Sequence, residues 1–247
     1  MRTLVLSDVH GNAAALEAVL VEPHDAVACL GDIVGYGPEP GRCVRLLRDE
    51  TLIAVQGNHD RALAEGVPPR CSEGFQWLAD ATAGVGKAQL SADDIAFLLA
   101  LPRWGFLESG GVRCGLLHAT PSDPLYRYLG PDEAKWKREV ERIETDTLLV
   151  GHTHIQFELR CDGVRVINPG SVGQPKDGDP RAAFAVMDGP QVTLKRARYD
   201  VERTVRAYRQ AAVERFAVAA LRDLLRTGRV RVADEAHTPG RELPGGA

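Results

Sequence analysis

Short apolar runs recur along this chain, and nearly every one stops at an aspartate, an asparagine or a histidine. T-L-V-L-S (residues 3–7) stops at Asp8 and His10, and A-V-A-C-L stops at Gly31-Asp32. L-I-A-V stops at Q-G-N-H-D, V-R-C-G-L-L at His118, and T-L-L-V at G-H-T-H (151–154). Runs this short, bounded by turn residues, read as buried strands rather than helices. Between the first three lie helical stretches: residues 13–21, with Asn12 as a side-chain N-cap, and residues 41–50. Strands that alternate with helices require parallel neighbours joined by right-handed crossovers, which is an α/β arrangement.

The middle of the chain, residues 61–104, is alanine-rich and mostly helical. Ser91 precedes Asp94 by one helical turn, a capping box, and Pro102 stops the pattern. Residues 66–104 are expected to form a small cap over the sheet. Strands then return: a hairpin around Gly110-Gly111, a charged helix over 132–145, and five further short runs separated by Gly or Pro turns. Their succession suggests an antiparallel half. The expected fold is α/β (α+β), an αββα sandwich of two face-to-face mixed β-sheets flanked by helices. One long C-terminal helix is expected over 201–227, with an apolar stripe from Val201 through Val205, Tyr208, Ala212, Phe216 and Leu221 to Leu225. Its arginine-rich opposite side reads as a solvated face, and the stripe as a surface for the protein body or for a twin subunit in a homo-oligomer. The single domain is expected to span 1–232. The Pro/Gly/charge-rich tail, 233–247, has the composition of a disordered segment.

Charge and cysteine content narrow the function. A formal net charge of −4 argues against nucleic acid as a partner, since such binding rests on Lys and Arg against phosphates. Five cysteines are an odd number with no C-x-x-C pair, which suits buried thiols in a reducing compartment. No stretch approaches the ~20 apolar residues of a membrane helix. A cytoplasmic location, with no membrane partner, is therefore expected.

Five of the seven histidines fall at strand ends: His10, His59, His118, His152 and His154. Open α/β sheets place their sites at the carboxyl ends of strands. In an extended chain residues i and i+2 point the same way, so Asp8 with His10, and His152 with His154, would each face one ion. Asp8, His10, Asp32, Asn58, His118, His152 and His154 together offer more donors than one ion takes. Two ions with a bridging carboxylate fit better, and Asp32 is the natural bridge.

D-V-H, G-D-I-V-G, G-N-H-D, the isolated His118 and G-H-T-H resemble, in order, the sequence blocks of the calcineurin-like metallophosphoesterase family. V-I-N-P-G-S-V-G-Q-P (166–175) further resembles its small bacterial and archaeal branch. The resemblance implies a double β-sandwich and a binuclear phosphoesterase, most simply a phosphodiesterase acting on a small phosphoester. It implies that Asp8, His10, Asp32 and His154 hold the first divalent ion, and Asp32, Asn58, His118 and His152 the second. Mn is implied as the activator in vitro, with Fe, Zn, Ni or Co as other occupants. In-line attack by a metal-bridging hydroxide is implied, with His59 protonating the leaving oxygen and Asp60 hydrogen-bonding His59 to raise its pKa. Other readings of the same fold are a protein phosphatase, a dinucleoside polyphosphate hydrolase, and a metal-binding scaffold without catalysis. Scaffolds of this kind usually lose the residue in the His59 slot, which is kept here.

Overall fold

A computed structural model describes residues 1–229; the expected tail and His237 lie outside the described residues. The chain opens with three strands and two helices in alternation: β1 (Arg2–Leu6), α1 (Ala13–Leu20), β2 (Ala26–Cys29), α2 (Pro40–Arg48) and β3 (Leu52–Ala54). The strands are parallel, with Leu4 opposite Val27 and Val27 opposite Leu52. Helices α3 (Asn58–Glu65), α4 (Glu73–Gln89) and α5 (Ala92–Ala100) follow. The second sheet is then built from β4 (Gly105–Ser109), β5 (Val112–Leu116), β6 (Thr147–Leu149), β7 (Gln156–Cys161) and β8 (Val164–Pro169), with α6 (Glu133–Val140) between β5 and β6. Finally β9 (Ala182–Asp188) and β10 (Gln191–Ala197) return to the first sheet, before α7 (Val201–Gln210) and α8 (Arg215–Thr227).

The two five-stranded sheets run in the orders β10-β9-β1-β2-β3 and β4-β5-β6-β8-β7. They pack face to face with helices outside, the expected αββα sandwich. Strand alternation explains how. Leu4 and Leu6 of β1 face α1 and α2, together with Leu16, Val44 and Leu47. Val5, between them, faces the second sheet with Leu116, Leu149 and Ile167. A strand buried on both sides must be apolar at every position, which is why these runs are continuous.

Three expectations change. The second half is not purely antiparallel, because β5, β6 and β8 run parallel. The charged helix α6 makes the β5–β6 connection a crossover, which parallel strands require. Next, α5 is no cap: Leu98 is fully buried in the core beneath the first sheet, and Gln56 Nε2 donates to the Leu98 carbonyl at 2.9 Å. Of the expected cap, α4 and the loop before it approach the site, through Phe75 beside Tyr36 and Pro69 bonded to Asn58. Last, the C-terminal helix is broken. A straight helix over 201–227 would run about 40 Å. Instead Ala212 takes a left-handed conformation (φ 56°), and the Val213 N–H bonds back to the Tyr208 carbonyl at 3.2 Å. The break rotates the stripe, exposing Phe216 and burying Val213, Ala217 and Val218 against Phe75 and Leu78 of α4. Most of the expected apolar face is thus covered by the body, and Phe216 stays exposed.

Leu98→Ala should cost about 2–5 kcal/mol in urea unfolding, the range for deleting a buried leucine. A helix lying over the surface as a cap would lose under about 1 kcal/mol.

Candidate metal centre

Because β1, β2 and β3 are parallel, and β5 and β6 are parallel, each sheet gathers its carboxyl ends on one edge. The two edges meet. Asp8 and His10 follow β1, Asp32 follows β2, Asn58 and His59 follow β3, His118 follows β5, and His152 and His154 follow β6. All are buried, none more than 4 % exposed. The loops that carry them are stitched across the sheets. Asp8 N–H donates to the Gly31 carbonyl, His10 N–H to Asp32, Gly151 N–H to His118 and Val172 N–H to Ser7, at 2.8–3.0 Å.

The backbone here is not extended, which corrects the i, i+2 argument. Asp8 (φ 53°), His10 (46°), Asp32 (54°), His152 (67°) and His154 (60°) are all left-handed. Each L-residue in that region costs roughly 1–2 kcal/mol. Left-handed residues alternating with ordinary ones still turn both side chains of each pair inward, while Val9 goes to the core. Such strain persists only where surrounding structure over-determines it, and it concentrates at functional sites. Two glycines make the approach possible. A Cβ on Gly57 would lie 2.1 Å from Asp32 Oδ1, and one on Gly151 1.9 Å from Ser7 Oγ.

The donor atoms form two clusters, Asp8–His10–His154 and Asp32–His118–His152. Hydrogen bonds on the far sides of the rings settle which nitrogens face inward. His10 Nδ1 meets the Val34 carbonyl at 3.2 Å and His154 Nδ1 the Gln174 carbonyl at 2.6 Å. A carbonyl can only accept, so both Nδ1 atoms carry hydrogen. The two Nε2 atoms, 3.1 Å apart, then point lone pairs at each other. In the second cluster His118 Nδ1 donates to the Leu30 carbonyl at 2.8 Å. Its Nε2 faces Asn58 Oδ1 (3.0 Å), His152 Nδ1 (3.1 Å) and Asp32 Oδ2 (3.3 Å). The Asn58 amide is oriented by its Nδ2, which donates to the Pro69 carbonyl at 2.8 Å. Asp8 Oδ1 and His152 Nε2 are buried with no hydrogen-bond partner among the described residues. Asp32 stands between the clusters, Oδ2 lying 3.7 Å from His10 Nε2 and Oδ1 accepting the His59 N–H at 2.8 Å. Acceptors crowded without hydrogens need cations between them, and an all-nitrogen-and-oxygen set suits first-row divalent ions. The residues present fit two such ions.

Electrostatics agree. Burial opposes the charge of Asp32, but His118 and then His59 outweigh it and hold the carboxyl well below its usual range. Burial, only partly offset by His118, pushes Asp8 up to about 6. Burial holds His10, His152 and His154 well below the usual imidazole value, the neutral form a ligand requires. At His118 burial is overcome by Asp32, which raises it to about 9. The field that draws a proton onto His118 is the field that draws a cation.

Asp60 does not do what was expected. Its carboxylate accepts the backbone N–H groups of Asp32 (2.8 Å), Gly57 (3.0 Å) and Val34 (3.1 Å), not the His59 ring. Adjacent helical residues do not face each other. Asp60 instead ties the loops after β2 and β3 together. Burial accordingly pushes His59 down to about 4 rather than up. The His59 ring packs beside those of Tyr36 (4.5 Å) and His10 (5.1 Å).

Other residues sort as follows. Asn168 Nδ2 donates to the Gly151 carbonyl at 2.7 Å and Ser171 Oγ to the Asp8 carbonyl at 2.7 Å, so both build the loops. Arg61 pairs with Glu65 at 2.9 Å on the surface. Tyr128 stacks on His152 at 3.8 Å. Sequence reasoning missed Lys176, just beyond the N-P-G-S-V-G-Q-P segment. Its ammonium lies 3.9 Å from the Phe75 ring centre, and among the described residues it forms no ion pair. Burial pushes it down to about 8, against the pull of Asp8. One lysine following a glycine-proline turn gives no signal in a single sequence.

A helix–sheet–sheet–helix sandwich with paired nitrogen–oxygen clusters at joined strand ends defines a metal-dependent phosphoesterase. The chain belongs to the calcineurin-like phosphoesterase superfamily, whose domain model matches residues 1–190. It is 33 % identical to a metallophosphoesterase of known structure from Sphaerobacter thermophilus, covering 92 % of this chain and 99 % of that one, with a TM-score of 0.79. It is 32 % identical to the uncharacterized protein MJ0912 of Methanocaldococcus jannaschii, over 81 % of this chain and 88 % of that protein. It is 26 % identical to serine/threonine-protein phosphatase 1 of Salmonella typhimurium, over 68 % of this chain and 86 % of that protein.

Two outcomes test the site. His154→Ala should chiefly weaken one bound ion and His152→Ala the other, read by metal analysis after dialysis; equal loss of both in each variant would overturn the pairing. Asp60→Asn turns an amide N–H₂ toward backbone N–H groups. It should cost about 1–3 kcal/mol in denaturant unfolding and reduce metal content, although the Asp60 carboxylate is not one of the cluster donors.

Proposed function

We propose that the protein hydrolyses small phosphodiesters, with Mn²⁺ as an effective activator and His59 as the acid for the leaving group. The observation that carries this is the pair of inward-facing acceptor clusters with Asp32 standing between them, and a histidine that belongs to neither beside them. Two divalent ions held there would neutralise phosphoryl oxygens and lower the pKa of the attacking water. The chain's own part is to orient and exclude water. His10, His118 and His154 are fixed by Nδ1–H bonds to carbonyls, so their Nε2 atoms need no reorganisation. An anionic phosphate seated beside His59 would draw the proton that burial alone denies it. Lys176, without a carboxylate partner, supplies a further positive charge on the same side as Phe75 and Tyr36.

Dephosphorylation of protein serine or threonine is the second reading, favoured by similarity to the Salmonella phosphatase. The deep burial of the candidate ligands favours small substrates over a folded protein surface. No helix among the described residues is long and apolar enough to cross a membrane.

His59→Ala should lower kcat on a chromogenic phosphodiester by roughly 10²–10⁴-fold, the usual range for a positioned acid, with metal content unchanged. Full activity in that variant would overturn the role. Lys176→Met should raise KM roughly ten-fold, the size of one lost charge-assisted contact, with a smaller change in kcat; an unchanged KM would remove Lys176 from the substrate site. A panel of phosphodiesters, phosphomonoesters and phosphopeptides, each assayed with Mn²⁺ and after chelation, separates the two readings.

A further inference from the structure

His59, Ala62 and Leu63 lie at i, i+3 and i+4 on α3, so they share one helical face. Leu63 closes onto Gly86 of α4, but the rest of the face does not close. Between it and Ala79, Asp80 and Ala83 of α4 lies a cavity of about 240 Å³, walled at one end by Tyr36 and rimmed by Pro68 and Pro69. At a liquid volume of about 30 Å³ per water the space equals roughly eight waters, enough for a group of one or two rings.

The cavity is not an isolated void. His59 and Tyr36 form part of its wall, and the same two rings pack against His10 of the first cluster. The rim is tied to the second cluster through the Asn58–Pro69 hydrogen bond. Its chemistry is one-sided. Half of its lining residues are alanine, leucine, valine or proline, and no lysine or arginine lines it. Its one carboxylate, Asp80, accepts from Gln76 Nε2 at 2.9 Å. An anionic group entering here would lose hydration without gaining a cation, and would meet a like charge.

A group protonated by His59 on leaving must sit against His59, and this cleft is where the His59 face opens. We propose that the cleft is the leaving-group subsite and that it takes an uncharged, carbon-rich ring, aryl or nucleoside, esterified to the reacting phosphate. The proposal rests on the phosphoesterase reading above and names its substrate class. On hydrolysis the P–O bond to the ring-bearing group breaks and its oxygen takes a proton from His59. Water supplies the new P–O bond and the proton that recharges His59. Polyphosphate leaving groups are disfavoured, because the walls carry no cation to receive them.

The test uses the full chain loaded with Mn²⁺ and two substrates, 1-naphthyl methyl phosphate and trifluoroethyl methyl phosphate. Ala83 is exposed on α4, so Ala83→Phe narrows the cleft without entering the core. It is expected to lower kcat/KM for the naphthyl ester about ten-fold and to leave the trifluoroethyl ester within about two-fold. Binding of 1-naphthol, followed by its fluorescence without turnover, is expected in the parent and to weaken about ten-fold in the variant. Hydrolysis of both esters with equal response to Ala83→Phe, or no naphthol binding by the parent, overturns the subsite. Naphthol binding that Ala83→Phe weakens, with no ester hydrolysed under any divalent ion, supports the cleft as a ring site and overturns the phosphoesterase reading instead.

Discussion

Two imidazole nitrogens without a hydrogen between them, His10 Nε2 and His154 Nε2, face each other at 3.1 Å in a region sealed from water. Left alone, that contact is repulsive, whereas in the second cluster Asp32 draws a positive charge onto His118. No hydrogen-bond donor among the described residues stands between His10 Nε2 and His154 Nε2. The far nitrogens of three of these rings are committed to backbone carbonyls, so the rings keep their lone pairs turned inward. Much of the rest of the structure serves to hold this arrangement together. Five left-handed residues, two glycines with no room for a Cβ, and the buried Asp60 carboxylate all act on the same few loops.

The cost of that arrangement is met by the sandwich. Residues at strand ends inherit the rigidity of the strands, and here two sheets with apolar contacts on both faces converge at one edge. Strain of roughly 1–2 kcal/mol per left-handed residue is sustainable only against a core of this extent. The helices are divided in their duties. The α1, α2 and α5 layer anchors the first sheet, whereas α3 and α4 frame the approach to His59. The fold thus sets the paired clusters on the joined sheet edges and the cleft beside His59 between two helices.

Much of the site was legible from the chain because its ligands are rare residue types at the ends of recognisable apolar runs. Asp8, His10, Asp32, Asn58, His118, His152 and His154 all reach one place. The role given to Asp60 was not legible. Its position after His59 suggested a side-chain bond, but a helix turns consecutive residues apart, and the backbone N–H groups that occupy it come from loops distant in sequence. Lys176 was silent for a similar reason: its significance lies in having Phe75 beneath it, a contact between residues distant in sequence. The bend at Ala212 also escaped, since periodicity reports an apolar stripe but not where the body it covers ends.

By itself the sequence determined the strand–helix alternation, the sandwich it leads to and the set of candidate ligand residues. These follow from local hydrophobic periods and from side-chain chemistry, which need no partner to be read. Tertiary structure alone decided the left-handed geometry of the ligand loops, the tautomers of His10, His118 and His154, the duty of Asp60 and the existence of the cleft beside His59. Each of these depends on which groups meet across separate elements, and hydrogen bonding and packing become definite only when the sheets and helices have closed on one another.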